Sequence, residues 1–90
     1  MDYSVYAIYN RERGKIYIGH TEDLETRLLR HNGVLKNKKS SFTSRNSGLW
    51  ELVHQEKFLT RREAILREKI LKNPRGRKFI KEIIKKSENK

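Results

Sequence analysis

The sequence has 90 residues, and it contains no cysteine and a single proline. The absence of cysteine excludes a disulfide framework and a zinc site built on thiolates. No apolar run approaches the roughly 18 residues needed to span a bilayer, and the N-terminus lacks the apolar segment of a secretory signal. We therefore expect a cytoplasmic protein that has no membrane partner. Only 34% of the residues are hydrophobic, so we expect one domain with a small core.

Acidic residues are scarce relative to basic ones. The chain has 11 Asp and Glu against 22 Lys and Arg, which gives a formal net charge of +11. Most of this excess lies in residues 61–90. Such an excess is typical of proteins that bind a polyanion, and nucleic acid is the commonest one. A solvated basic surface without such a partner is the alternative that composition leaves open.

Two tyrosine-bearing strands come first in the chain. β-Branched and aromatic residues dominate residues 3–10, and a second short run follows at residues 15–19 after a charged turn that ends in Gly14. This pattern predicts a β-hairpin. Alternation along the second strand puts Lys15 on the same face as Tyr17, where it is a candidate extra cation.

The first helix is predicted to begin after Thr21, which is a natural N-cap. Leu24 and Leu28 recur at helical spacing and would face the sheet. Arg27 and His31 lie one turn apart at the edge of that apolar stripe. They would therefore point to the rim of the packed sheet.

A polar and basic stretch at residues 32–48 predicts a loop with one short helix near residues 40–45. Its basic side chains are of the kind that contacts phosphates without reading bases. These candidate nucleic-acid-binding residues are Lys36, Lys38, Lys39 and Arg45, to which Lys15 of the second strand is added. A third strand is predicted over residues 49–58, with one inward face that carries Trp50, Phe58 and His54.

Two helices are predicted to close the domain. Thr60 and Glu63 form a capping box that opens a helix ending at residue 71 or 72. Asn73 and Pro74 are the predicted N-cap and first residue of the last helix, which would end near residue 86. The residues that it would bury are Phe79, Ile80, Ile83 and Ile84. The domain is therefore expected over residues 1–86, followed by a frayed basic tail at 87–90.

Glu68 stands out within the first of these two helices. Ala64, Glu68 and Leu71 fall on one stripe, so a carboxylate lies on an otherwise apolar face. Pairing with Lys72, four residues later, is the structural reading of that carboxylate. His20 is interpreted as a loop residue and not as a metal ligand, because no second His or Cys stands at ligand spacing.

Taken together, these residues resemble the GIY-YIG nuclease family, and most of all its small stand-alone bacterial members. The residues that carry the resemblance are Ser4-Val5-Tyr6, Tyr17-Ile18-Gly19, Thr21, Arg27, His31 and Arg67-Glu68-Lys69. No single triplet is specific, whereas the ordered set at matching spacing is much more so. The resemblance implies an α/β fold, in which a small three-stranded antiparallel sheet is flanked by helices in a single domain.

The resemblance also implies a divalent-metal-dependent endonuclease that hydrolyses DNA phosphodiester bonds, is structure-selective and is linked to DNA repair or recombination. Glu68 would then be the ligand of Mg²⁺ or Mn²⁺, and Arg27 would bind the scissile phosphate. Tyr6 or Tyr17 would accept the proton of the attacking water. His31 would orient a tyrosine or shuttle that proton.

A binding module is the competing interpretation. Larger family members carry an asparagine about a dozen residues after the glutamate, where this chain has Phe79-Ile80-Lys81. A basic nucleic-acid-binding module with the nuclease fold and little or no turnover is therefore the alternative. For either function we expect DNA as the partner and a monomer or weak dimer, to which a protein partner could add DNA-binding surface.

Overall fold

The computed structural model of the chain describes residues 2–33 and 48–88. The elements in chain order are β1 (Tyr3–Asn10), β2 (Lys15–Thr21), α1 (Leu24–His31), β3 (Trp50–Phe58), α2 (Arg61–Lys72) and α3 (Pro74–Glu88). The strands form one three-stranded antiparallel sheet in the order β2-β1-β3. The predicted α/β fold is therefore confirmed. Among the described residues, no helix combines the length and apolar content that crossing a membrane requires.

The hairpin forms as predicted, but the start of α1 differs. Gly14 closes the turn at φ 62°, a conformation that glycine adopts without strain. β2 continues to Thr21, so the prediction that Thr21 is the N-cap is wrong. Asp23 is the cap, because its side chain accepts a hydrogen bond from the backbone N–H of Thr26 at 3.2 Å. Thr21 instead supports that cap, since its hydroxyl accepts from the N–H of Asp23.

The two faces of the sheet bury separate apolar clusters. On one face, called here the α1 face, the buried residues and their apolar neighbours are Tyr6, Ile8, Trp50, Tyr17, Leu24 and Leu28. On the other, called here the α2–α3 face, the buried residues are Val5, Ala7, Ile18, Ala64, Leu71, Ile80 and Ile84. β1 lies in the middle of the sheet and contributes to both clusters, so it is the most deeply buried strand.

An irregularity in β3 corrects one prediction. The pairing with β1 shifts register between residues 7 and 8, where Val53 is the extra residue. Such a bulge reverses the alternation of side chains along the strand. Trp50 therefore lies on the α1 face, whereas His54 and Phe58 lie on the α2–α3 face. The prediction of a single inward face for these three residues is wrong.

The predicted capping residues of α2 and α3 are confirmed. Thr60 accepts a hydrogen bond from the N–H of Glu63 at 3.2 Å, and Asn73 accepts one from the N–H of Gly76 at 2.8 Å. Gly76 allows the two helices to meet, because a Cβ there would lie 2.4 Å from the carbonyl oxygen of Ile70. This corner fixes α3 across the end of α2.

The last helix differs from its prediction in one side chain and in its length. Phe79 is 41% exposed and not buried, and it packs edge-on against His54 with ring centroids 5.3 Å apart. The helix continues through Ser87 and Glu88, two residues that we expected in the tail. Glu88 accepts a hydrogen bond from Arg11 at 2.9 Å. The predicted short helix at 40–45 and the four basic residues of that loop lie outside the described residues.

Candidate active site

Four of the predicted site residues meet on the α1 face and are called here the tyrosine cluster: Tyr6, Tyr17, Arg27 and His31. Tyr6 is fully buried in β1, and its hydroxyl lies 2.7 Å from Nε2 of His31 at the end of α1. The rings of Tyr17 and His31 pack with centroids 4.8 Å apart. The two tyrosine rings are 6.1 Å apart. The helical spacing of Arg27 and His31 therefore places both of them beside the strand tyrosines.

Gly19 provides the space in which this cluster packs. β2 pairs Gly19 with Tyr6, so the two residues face the same side of the sheet. A Cβ on Gly19 would lie 2.9 Å from Cε1 of Tyr17 and 3.0 Å from the hydroxyl oxygen of Tyr6. Any side chain at this position would displace one of the two tyrosines.

Burial sets the protonation states of Tyr6 and His31. It raises the pKa of the Tyr6 phenol well above the ordinary value, and the neighbouring Tyr17 adds to that shift. It also lowers the pKa of His31 to about 4, with a further contribution from the Arg27 guanidinium. At neutral pH the phenol is therefore protonated and the imidazole is neutral. The hydroxyl of Tyr6 donates and the ring nitrogen of His31 accepts.

Arg27 supplies the positive charge of the tyrosine cluster. Burial lowers the pKa of its guanidinium, but the hydroxyls of Tyr6 and Tyr17 outweigh that effect and leave the pKa raised. Its Nε atom is buried and has no hydrogen-bond partner among the described residues. A buried donor without an acceptor costs about 1–3 kcal/mol. The cluster thus holds one strained donor atom in its interior, while Arg27 itself lines an open groove that an anion can enter.

The fifth predicted residue, Glu68, belongs to a second group, called here the glutamate cluster: His20, Glu68 and Lys72. Its Oε1 lies 2.6 Å from Nδ1 of His20, and its Oε2 accepts from Nζ of Lys72 at 2.8 Å. Burial raises the pKa of Glu68, but the hydrogen bonds from Lys72 and His20 outweigh it and leave the pKa lowered. The carboxylate is therefore ionised at neutral pH. The pairing with Lys72 is the one that helical spacing predicted.

The two clusters lie on opposite faces of the sheet at the same edge. β2 is an edge strand, and its alternation puts Tyr17 on the α1 face and His20 on the α2–α3 face. Glu68 therefore does not join the other four residues on one face. Two open grooves at this edge connect the clusters. One is lined by both His20 and Arg27, and the other is lined by both Tyr17 and Lys72.

His20 is the residue that sequence reasoning missed. The second strand was predicted to end at Gly19, so His20 was assigned to a loop. The signal that could have placed it is strand alternation, because His20 is two residues after Ile18 and faces the same way once β2 continues to Thr21. Lys15 is exposed at the start of β2 and lines the same groove as Tyr17.

The two clusters together offer a metal ion one ionised carboxylate, that of Glu68. Residues 2–33 and 48–88 contain no group of three or more His, Cys, Asp or Glu side chains that could hold a metal ion. Mg²⁺ binds through one or two carboxylates and keeps several waters. The donor set therefore fits a water-rich ion on Glu68 and does not fit an enclosed protein cage. Such an ion would compete with Lys72 for one oxygen of the carboxylate.

Comparisons with known proteins agree with this architecture. The family model described as the GIY-YIG catalytic domain matches residues 2–87. Among solved structures, the solution NMR structure of the UPF0213 protein BH0048 from Bacillus halodurans matches with a TM-score of 0.53 and 24% identity. That match covers 92% of this chain and 85% of the Bacillus chain, and it supports the fold. A search of curated proteins found no match.

Proposed function

Because the chain belongs to the GIY-YIG family, we propose that it is a divalent-metal-dependent endonuclease that cuts DNA according to its structure. Family membership gives a catalytic domain of the nuclease type, which acts on nucleic acid. To this general activity we add three proposals: metal dependence, selectivity for DNA structure, and a role in DNA repair or recombination.

The observation that carries the proposal is the position of Arg27. Its guanidinium lies beside two tyrosine hydroxyls, and Arg27 lines an open groove at the edge of the sheet. A phosphate oxygen is the acceptor that a planar, permanently charged guanidinium binds best. In a phosphodiester hydrolase the same contact would stabilise the charge that develops on the phosphoryl oxygens. We therefore assign the scissile phosphate to Arg27.

Burial and hydrogen bonding favour Tyr17 over Tyr6 as the proton acceptor. Tyr6 is buried, its pKa is raised, and its proton is held by His31. Tyr17 is half-buried, lies at the sheet edge and lines an open groove, so a substrate water can reach it. In this assignment His31 acts through Tyr6, which it holds in place beneath Tyr17.

Glu68 is the residue that would hold Mg²⁺ or Mn²⁺, because it is an ionised carboxylate at the edge where the two clusters meet. When bound, such an ion would supply charge neutralisation and would lower the pKa of a coordinated water. His20 and Lys72 hold the carboxylate in the position from which it would do so.

Selectivity for structure follows from the kind of contacts that the chain offers. Its cationic side chains can contact phosphates, and neither the sequence nor the described residues contain a helix arranged like those that enter a DNA groove. Phosphate contacts position a protein but do not read bases. Branched, nicked or flapped DNA would therefore be distinguished from duplex by shape, which is the selectivity that repair and recombination need.

One observation favours the alternative of a binding module with little turnover. Both carboxylate oxygens of Glu68 are already occupied by His20 and Lys72. An ion must displace Lys72, the half-exposed partner, before it can bind. If that exchange is unfavourable, the protein would bind DNA and wait for a partner before cutting it.

The test is cleavage of labelled DNAs that differ in structure: duplex, single-stranded, flapped and four-way, with an RNA strand as a further substrate. Each is incubated with Mg²⁺, Mn²⁺ or chelator. Glu68→Gln keeps the shape and removes the charge of the proposed ligand. Glu82→Gln makes the same change at an exposed position of α3 and is the matched control.

Products that require metal and disappear only in Glu68→Gln would support the nuclease, and the best substrate would identify its selectivity. Binding without products in any metal would support the binding module. Cleavage that Glu68→Gln retains in full would contradict the proposed role of Glu68.

A further inference from the structure

A basic groove runs from Tyr17 to the corner between α2 and α3. Four cationic side chains line it, and they come from three elements: Lys15 in β2, Lys72 in α2, and Arg77 and Lys81 in α3. Within residues 2–33 and 48–88, no carboxylate lines this groove. The groove begins at the residue to which we assign the proton transfer.

The groove on the other side of β2 has a different charge. It is lined by both cations and carboxylates, and among them Glu22 accepts from Arg61 at 3.0 Å while Asp23 caps α1. By contrast, neither Lys15 nor Lys81 makes an ion pair within the part of the chain that the structure describes. A polyanion would therefore be attracted more strongly to the side that carries Lys15.

The cations are placed to follow a chain of phosphates. Arg77 and Lys81 lie one helical turn apart, which is about 6 Å along α3. Nε of Arg77 donates to the backbone oxygen of Lys72 at 3.1 Å, so the end of α2 holds Arg77 in place. Lys15 lies two residues before Tyr17 and faces the same way. The four cations thus line one groove that extends from Tyr17 to the corner between α2 and α3.

We propose that this groove binds the phosphate backbone of the substrate strand on one side of the scissile bond. The inference rests on the proposed function, and it names the surface that positions the substrate. It adds the α2–α3 corner to Lys15, whereas the sequence indicated Lys15 and the loop at 36–45. Because every contact is to phosphate, the groove would be indifferent to base sequence.

The test uses Glu68→Gln protein, which is not expected to cut, and measures its affinity for labelled DNA between 50 and 200 mM salt. The groove variant adds Lys15→Gln and Lys81→Gln. The control variant adds Lys78→Gln and Lys85→Gln, which remove the same charge from exposed positions of α3 outside the groove. Thermal unfolding of both variants checks that the fold is kept.

At 200 mM salt, the groove variant should bind DNA about tenfold more weakly than the parent. The slope of log affinity against log salt concentration should become shallower by about one for each lost phosphate contact. The control should change the slope by much less. Equal effects in the two variants would overturn the groove and leave the nuclease proposal intact. Absence of DNA binding by the Glu68→Gln parent, together with absence of cleavage by the unsubstituted protein, would overturn both.

A second measurement locates the groove on the substrate. Shortening the substrate strand on one side of the cut should weaken binding by the parent protein, and the same shortening should have little further effect on the groove variant. Shortening on the opposite side should weaken both proteins equally. Additive losses on both sides would contradict a groove that binds one flank.

Discussion

Two histidine–glutamate pairs lie at opposite edges of the same sheet face and have almost the same geometry. At the β2 edge, Nδ1 of His20 lies 2.6 Å from Oε1 of Glu68. At the β3 edge, Nε2 of His54 lies 2.7 Å from Oε2 of Glu56. Both carboxyl pKa values are lowered by hydrogen bonds that outweigh burial. The pairs differ in what else contacts the carboxylate.

Glu56 is paired with an arginine through two hydrogen bonds, whereas Glu68 is paired with a lysine through one. Arg67 donates to both oxygens of Glu56, at 2.8 and 3.0 Å, and such bidentate pairs are the more rigid. Glu68 is contacted by Nζ of Lys72, whose side chain is 48% exposed and can exchange with solvent. The comparison indicates a structural carboxylate at one edge and an exchangeable one at the other.

Replacing each carboxylate by its amide should separate the two pairs most clearly. Glu68→Gln should lower cleavage by a factor of about 10² or more, because the lost charge is the proposed metal ligand, and should leave the unfolding temperature nearly unchanged. Glu56→Gln should leave cleavage nearly unchanged and should lower the unfolding temperature, since it leaves the Arg67 guanidinium without its carboxylate partner. Cleavage rates and thermal unfolding of both variants decide this. Loss of stability in Glu68→Gln equal to that in Glu56→Gln would remove the distinction.

Replacing the cationic partners, Arg67 and Lys72, should show whether the bidentate contact contributes to stability. Arg67→Lys should destabilise the fold by about 1–2 kcal/mol, because lysine cannot donate to both oxygens of Glu56. Lys72→Met should cost less than about 1 kcal/mol, since a half-exposed ion pair contributes little. Denaturant unfolding at neutral pH measures both changes. If Lys72→Met proved as destabilising as Arg67→Lys, the pair at the β2 edge would be structural as well.

The two histidines should differ in their effect on metal use. His20→Ala should raise the Mn²⁺ concentration needed for half-maximal cleavage by several fold, because the Glu68 carboxylate loses one of its two positioning contacts. His54→Ala should leave that concentration unchanged and lower the unfolding temperature. His20→Gln, which restores a hydrogen-bonding group, should recover part of the metal response. A uniform loss of activity at every Mn²⁺ concentration would argue that His20 has no positioning role.

The pattern of the sequence predicted the strands and most helices because local signals agreed with one another, and the family resemblance supplied their arrangement. The hairpin turn at Gly14, the caps at Thr60 and Asn73, and the apolar stripe of α2 each fix an element without help from distant residues. The bulge at Val53 could not be predicted, because alternation in a single strand does not reveal an extra residue relative to its partner.

The candidate site was predictable on the α1 face and not at the β2 edge. Helical spacing brings Arg27 and His31 together, and strand alternation brings Tyr6 to the same face. The contact between Glu68 and His20 joins residues 48 apart in sequence. It depends on β2 extending two residues further than its composition indicated, so only the tertiary structure places His20 beside the carboxylate.

His31 differs from His20 and His54, because its ring contacts the hydroxyl of Tyr6 and not a carboxylate. It therefore provides the test with the smallest expected effect. The pKa of His31 is lowered to about 4 in the folded protein, against roughly 6.5 in the unfolded chain. Between these values the unfolded state binds more protons, so stability should be fully present above about pH 6.5 and should fall as the pH is lowered towards 4. The loss between pH 7 and 5 should be about 2 kcal/mol, measured by denaturant unfolding.

His31→Gln should remove most of this pH dependence while keeping a hydrogen-bonding group beside Tyr6. The carboxylates of Glu56 and Glu68 cannot produce the same window. Their folded pKa values lie below the ordinary value near 4.5, so the stability that they contribute is lost only at lower pH. An equal slope between pH 7 and 5 in the native protein and in His31→Gln would mean that His31 is not held neutral by burial. The assignment of Tyr6 as a proton donor to His31 would then need to be reversed.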